Sequence, residues 1–218
     1  MIRVRRADPA DAEALVALAE RVGREEGRWI LTTSSWRSAA DERRYLRAVQ
    51  HHADAAVFVV EDDGSVVGRL SLARDPHPAS QHVADLGLMV AAGHRRRGLG
   101  KALLEEAVRW ARDSGIRKLE LHVFPWNDPA LRLYEAFGFE REGLRREHYA
   151  RDGEYVDAIL MAYRIPGASD FTSSVRRPVP AAGSRVSPPE LGAERARRRC
   201  CGGAGTRVAR GRPAGAGG

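Results

Sequence analysis

The sequence predicts one α/β domain built on a mixed sheet, followed by a tail with no core of its own. Three observations carry that prediction. The spacing of apolar residues changes from the helical period to the strand period and back along residues 2–165, giving the order β-α-α-β-β-β-α-β-α-β-β. Turn and cap residues fall between the periodic segments, where each change of period needs them. Beyond that point periodicity stops, and residues 165–218 hold ten of the 22 glycines and six of the 11 prolines.

Ile2 to Arg6 fits an edge strand. Asp8-Pro9 then opens a helix to about Val22, because aspartate can cap the first amides and proline lacks only an N–H that has no partner there. Leu15, Leu18, Ala19 and Val22, at spacings of three and four, give it one apolar face. A second helix starts near Ser38, with Asp41 approximating a capping box, and places Tyr45, Leu46 and Val49 on one side up to His51. Ala55 to Glu61 is a β-branched run, Asp62-Asp63-Gly64-Ser65 a hairpin turn, and Val66 to Ala73 the return strand. The next strand, His82 to Val90, contains Gly87, which marks a bulge or a close backbone approach. A helix from about Gly98 carries Leu99, Ala102, Leu103 and Val108 on one face and ends at Gly115. Lys118 to Phe124 is a strand. Asn127-Asp128-Pro129 opens the last helix, through Leu131, Leu133, Tyr134 and Phe137, and Gly138 stops it. Phe139 to Glu147 and Tyr155 to Ile165 close the domain as strands around Arg151-Asp152-Gly153. No internal repeat is visible.

Composition excludes several classes. No run approaches the ~18 apolar residues of a membrane helix, and Met1 to Asp8 has no apolar signal core after its basic residues, so a cytoplasmic protein without a membrane partner is expected. The only cysteines are the adjacent Cys200 and Cys201, which offer neither a disulfide framework nor a metal-binding spacing, so no metal is expected. The net charge of +7 belongs to the tail: residues 165–218 have ten arginines, no lysine and three acids, leaving residues 1–164 neutral. From Ala181 onward the tail has almost no large apolar side chains to offset chain entropy, and it is expected to be disordered. The domains are therefore read as 1–165 and 166–218.

The sharpest chemical signal is Val90-Ala91-Ala92-Gly93-His94-Arg95-Arg96-Arg97-Gly98-Leu99-Gly100-Lys101, a strand running into a basic, glycine-bearing loop that opens a helix. Helix N-termini present unpaired N–H groups and partial positive charge, and Gly98 and Gly100 lack side chains that would hold phosphate oxygens away. The loop suits a pyrophosphate; a solvated charge run at a helix cap is the other reading. It is not a P-loop, because Leu99-Gly100 follows Gly98 in place of Lys-Ser/Thr, and the third glycine of a dinucleotide fingerprint is missing. Arg95-Arg96-Arg97-Gly98-Leu99-Gly100 resembles the Gln/Arg-x-x-Gly-x-Gly/Ala acyl-CoA motif of the GNAT superfamily of N-acetyltransferases, where it also follows the fourth strand. Residues 127–139 resemble that family's Asn-x-x-Ala-x-x-x-Tyr-x-x-x-Gly-Phe segment. The resemblance spans residue 2 to about 165. Two shorter strings, His82 to Val90 and Gly153 to Ala158, are similar to the bacterial L-amino acid N-acyltransferase branch.

The resemblance implies a GNAT-like mixed, mostly antiparallel central sheet with helices on both faces, and acetyl-CoA as acyl donor. Its pyrophosphate would lie on the amides of Arg95, Arg96, Arg97, Gly98, Leu99, Gly100 and Lys101, and its pantetheine arm beside Leu88, Met89 and Val90. A backbone N–H near Met89 or Val90 would stabilise the developing oxyanion. The family places Tyr134 near the CoA sulfur, and a phenol of pKa ~10 is protonated at neutral pH, so Tyr134 is the candidate general acid; packing with Leu131 and Phe137 is the alternative. Asn127 caps its helix, alone or while also bonding the pantetheine arm. Asp85 is the candidate base, with His82 weaker, against the alternative of an exposed or ion-paired strand carboxylate. Strand alternation puts Asp85, Gly87 and Met89 on one face.

Acceptor contacts fall in two places. Trp29 and Trp36 flank a Ser/Thr-rich loop suited to an acceptor lid, or are core aromatics. Arg145, Arg146, His148, Tyr149 and Asp157 surround the last hairpin, where an arginine could meet a carboxylate or simply be solvated. The expected reaction is acetyl transfer to a small-molecule amine, an amino acid or similar metabolite. Protein N-termini, polyamines and aminoglycosides are alternative acceptors. A different class of reading makes the domain an acyl-CoA sensor whose tail binds nucleic acid through Arg195, Arg197, Arg198 and Arg199, but that basic segment has no aromatic for base stacking, which argues against it. Dimers are common in the family, so a homodimer is the assembly to test.

Overall fold

A computed structural model describes residues 1–27, 29–30 and 36–167. The Arg-rich tail and the Ser/Thr-rich stretch Thr32–Ser35 lie outside the described residues. Seven strands form one sheet: β1 (Ile2–Arg6), β2 (Ala55–Asp62), β3 (Ser65–Arg74), β4 (Val83–Val90), β5 (Lys118–Val123), β6 (Glu140–Arg151) and β7 (Glu154–Arg164), in the spatial order β1-β2-β3-β4-β5-β7-β6. Every neighbouring pair is antiparallel except β4 and β5, which are parallel. The helices are α1 (Ala12–Gly23), α2 (Ala39–Gln50), α3 (Leu99–Asp113) and α4 (Asp128–Phe137). Among the described residues no helix is long and apolar enough to cross a membrane.

The strand period sorts side chains into two cores. Leu70, Leu72, Leu86, Val90, Leu119, Leu121, Val123 and Met161 pack against Leu103, Leu104, Leu131 and Tyr134 of α3 and α4. Val57, Val59, Val66 and Met89 meet Leu15, Leu18, Val22, Tyr45, Leu46 and Val49 of α1 and α2 on the other face. A buried ion cluster ties α2 to the sheet. Glu42 (0% exposed) meets Arg69 of β3 (3% exposed) at 3.1 Å and Arg37 at 3.3 Å, and Arg69 lies 5.1 Å from the Trp36 ring centroid.

The expected element order holds, with local differences. Asp8 caps a 3-10 turn, Pro9–Asp11, in a reciprocal capping box with Asp11, and α1 follows it. Ser38 caps α2 by accepting from the Asp41 amide at 3.1 Å. Gly87 marks no bulge: it pairs in register with Ser71, and a Cβ there would stand 3.3 Å from the Ser71 hydroxyl, so close approach is its reason. The register shifts lie at Val60/Glu61 and within β6, which runs past Glu147 to Arg151. Sequence periodicity ends β6 early because bulges interrupt its alternation.

Candidate active site

The site is an opening in the sheet. β4 and β5 pair only from Val83–Asp85 to Lys118–Glu120. Beyond that, β4 stays on β3 as far as Val90↔Gly68, while β5 stays on β7 as far as Val123↔Ile159. The strands diverge, and the edge of Leu86–Val90 that faces β5 has no ladder partner among the described residues. The Ala91 amide donates to the Val67 carbonyl on β3 at 2.9 Å, so alternation turns the Met89 amide the same way and the Leu88 and Val90 amides into the gap. Of Met89 and Val90, only Val90 turns its amide into the gap.

At the mouth of the gap, β4 runs through a 3-10 turn, Ala92–His94, into α3. Arg96 and Gly98 both adopt left-handed backbone, with φ of 62° and 79°. Gly98 is the N-cap of α3 and offers no side-chain cap. The first intrahelical bond runs from the Ala102 amide to the Gly98 carbonyl at 3.0 Å, so the amides of Leu99, Gly100 and Lys101 precede it and are left for a ligand. The two glycines are needed for reasons other than phosphate access. Gly98 supplies positive φ, and a Cβ on Gly100 would stand 2.7 Å from Leu133 Cδ2, where α3 crosses α4. Arg95 shapes the loop instead of facing a ligand: its amide donates to Ala92 at 3.2 Å, its Nε to the Val90 carbonyl at 2.9 Å, and its guanidinium pairs with Glu25 at 2.7 Å. Arg97 leans on Asp62 at 3.2 Å and Lys101 is within 3.8 Å of Glu105. Arg96 has no ion-pair partner among the described residues.

On the α1/α2 face, register places Asp85 beside Glu120 at the apex of the gap, with His122 next along β5. Tyr149 reaches in from β6, its hydroxyl 2.7 Å from His122 Nδ1, and the His148 ring stands edge-on to His122 at 5.2 Å. Asp85 keeps an open path to solvent, yet protein crowds the carboxylate enough that lost hydration is the first cause of its pKa rising to about 6; Glu120 and Asp75 add to the rise and Arg145 opposes it. Burial, then the charges of Arg145 and His148, pushes His122 down to about 4, so it is neutral at physiological pH. Burial raises Tyr149 to about 12, an effect that Arg145 opposes and Asp85 reinforces. Arg145 therefore acts on three groups of the site, and it has no carboxylate within ion-pair distance among the described residues. His82, the weaker base candidate, is exposed and precedes β4 at the closed end.

Tyr134 projects from α4 into the opposite, α3/α4 core. It is 6% exposed, its ring is 5.5 Å from that of Phe139, and burial holds its phenol protonated far above the ordinary tyrosine range. Asn127 is engaged at both ends: Oδ1 accepts from the Ala130 amide at 3.2 Å and Nδ2 donates to the Trp29 carbonyl at 3.0 Å. Trp126 Nε1 donates to the Gly27 carbonyl at 3.2 Å and Arg151 to that of Ile30 at 2.6 Å, so the chain before α2 is pinned over this end of the sheet. Trp29 and Trp126 there line an open cavity of about 380 Å³ with Glu26, Glu154 and Val156. Trp36 instead belongs to the buried ion cluster, its Nε1 3.4 Å from Glu42. Asp157 is half-buried and accepts from the Glu147 amide at 2.7 Å. Sequence reading missed His122 and Glu120 as site residues; the odd positions of β5 are the apolar ones, which puts both on the polar face, but only the pairing to Asp85 shows what that face meets. Among the described residues no group of His, Cys, Asp and Glu is arranged to hold a metal.

Comparison with known proteins matches residues 23–139 to the family described as Acetyltransferase (GNAT) family. The L-amino acid N-acetyltransferase AaaT of Escherichia coli is 41% identical over 102 residues, which span 46% of this chain and 62% of that protein. The putative phosphinothricin acetyltransferase YwnH of Bacillus subtilis is 30% identical over 74% of this chain and 98% of its own length. The N-alpha-acetyltransferase RimI of Mycobacterium tuberculosis is 32% identical over 71% of this chain and 92% of its own. Among solved structures, a GNAT-family acetyltransferase from Streptococcus pneumoniae superposes with a TM-score of 0.69 at 28% identity, over 76% of this chain and 99% of that one.

Proposed function

The chain belongs to the GNAT acetyltransferase family, and from that premise we propose that it acetylates the primary amine of a small, carboxylate-bearing acceptor of the amino-acid type by direct attack. The observation that carries this reading is the gap between β4 and β5, with donor-binding backbone at its mouth and Asp85, His122, Tyr149 and Arg145 gathered on one face. The residues suit acetyl-CoA as acyl donor. The unbonded amides of Leu99, Gly100 and Lys101, with the charges of Arg96 and Lys101, match a diphosphate, and the unpaired edge of Leu86–Val90 can take an extended amide-bearing arm as an added strand. The thioester supplies an electrophilic carbonyl carbon and a sulfur leaving group.

Asp85, ionised above its pKa of about 6, takes a proton from the acceptor's ammonium group. An amine of pKa ~8 gives up a proton more readily to this carboxylate than to an ordinary one, because the rise in pKa roughly halves the mismatch between the two groups. Neutral His122, bonded to Tyr149, extends the path for that proton along the face. The Val90 amide donates to the oxygen that gains charge as the carbon–nitrogen bond forms. Tyr134 gives its proton to the departing sulfur from the opposite face, and the second proton that the nitrogen loses as the amide forms restores the phenol. Arg145, with no carboxylate of its own, receives that of the acceptor. The relatives named for L-amino acid and phosphinothricin acetylation support such an acceptor.

A second acceptor reading rests on the open cavity at Trp29 and Trp126. Glu26 and Glu154 on its lining suit a longer, cationic acceptor such as a protein N-terminus, as the similarity to RimI also suggests. Thiol release from acetyl-CoA, measured against free L-amino acids, their amides and short N-terminal peptides, separates the two. Free amino acids should turn over fastest, and Arg145→Gln should raise their KM at least tenfold more than it raises that of the amides, which share any effect of the lost charge on Asp85. Peptides and amides outrunning free amino acids would exclude the carboxylate-bearing acceptor.

A further inference from the structure

β6 does not run evenly against β7. Arg145 pairs with Ala158 and Tyr149 with Val156, so four steps along β6 oppose two along β7 and two extra residues are taken up in between. An insertion of two keeps every side chain on its face but moves everything beyond it by two positions, roughly 7 Å along the strand. Without the bulge Tyr149 would pair near Glu154, at the hairpin end, and its hydroxyl could not reach His122. The contacts that bring Tyr149 and His148 against His122 are therefore products of this irregularity.

The bulge needs something to hold it. Glu147, inside it, has φ of 50°, a left-handed conformation that residues other than glycine avoid. Its amide is turned out of the ladder and donates to Asp157 Oδ1 on the facing strand at 2.7 Å. That charge-assisted bond is the only hydrogen bond of the Asp157 side chain among the described residues. We infer that Asp157 is a positioning residue: by accepting from the Glu147 amide it fixes the β6 bulge that presents Tyr149 to His122. The inference rests on the reading of His122 and Tyr149 as part of the proton path.

The test uses the full chain and the variants Asp157→Ala and Asp157→Asn, since asparagine keeps the accepting oxygen. Imidazole NMR of His122 reports its contact with Tyr149 without any turnover. Asp157→Ala should shift the His122 ring signals as Tyr149→Phe does and lower kcat at least tenfold, with acetyl-CoA affinity unchanged. Asp157→Asn should stay within about threefold of the parent on every measure. Unshifted His122 signals in Asp157→Ala, or an asparagine variant as impaired as alanine, would overturn the inference. Shifted signals with unchanged kcat would uphold the positioning and defeat instead the proton path on which its catalytic meaning rests. In the unaltered protein the Glu147 amide should exchange slowly with deuterium, and rapid exchange would overturn the inference whatever the variants do.

Discussion

Tyr134 and Asp85 lie on opposite faces of the sheet, and burial raises the pKa of both. Burial keeps the Tyr134 phenol protonated and raises Asp85 to about 6, which suits the acid and base roles proposed for them. Tyr134→Phe should therefore cut kcat roughly 10²-fold with little change in acetyl-CoA affinity, measured by single-turnover kinetics and titration of the donor. A packing role alone would leave kcat nearly intact. For Asp85, the acid limb of kcat/KM should titrate near pH 6 in the parent and vanish in Asp85→Asn along with most activity. Stability should move the other way. Because the folded chain holds this proton more tightly than the unfolded one, stability falls as pH rises from about 4 to 6, and Asp85→Asn escapes the loss. The variant should melt higher than the parent at pH 8 and alike at pH 4. His122 contributes with the opposite sign, its stabilisation being complete above pH 6.5 and lost as pH falls towards 4.

At the scale of elements, the start of α3 couples donor binding to packing. Gly98→Val puts a β-branched residue at φ of 79°, a change of about 1–2 kcal/mol in a loop whose amides must converge on one ligand. It should raise the KM for acetyl-CoA at least tenfold and leave kcat at saturation within a few fold. Gly100→Val drives a side chain against Leu133, the neighbour of Tyr134 on α4, so it should lower kcat as well. The glycines were legible as a motif; which one serves conformation and which serves helix contact was not, because Leu133 is distant in sequence. The Glu42–Arg69 pair makes the same point. Neither residue belongs to a motif, yet both are buried, and Glu42→Ala should cost about 3–5 kcal/mol in urea unfolding by stranding Arg69 without its counter-charge.

For the whole molecule, the last buried side chain among the described residues is that of Ile165, whose amide donates to the Arg117 carbonyl at 2.8 Å. A chain ended after Gly167 should keep its turnover and melting temperature. One ended after Arg164 should lose about 2–3 kcal/mol, the burial of one large apolar side chain together with its hydrogen bond. Loss of turnover in the longer product would place catalytic parts in the tail.

The order of elements and the two glycine-bearing motifs were readable from the chain, because helical period, strand alternation, caps and a strand-to-helix loop are set by residues near one another; the acyl donor was implied by the family resemblance that those motifs carry. The direction of the Val90 amide, the placing of Tyr134 and Asp85 on opposite faces and the partners of Asp85 were not. They follow from where β4 parts from β5 and from the bulge in β6, and both depend on pairings between segments far apart in sequence. His122 meets Tyr149 from 27 residues away, and Asn127 meets Trp29 from 98. Only the assembled sheet decides such contacts, since a strand's register is fixed by the pairing and packing it finds against segments remote in the chain.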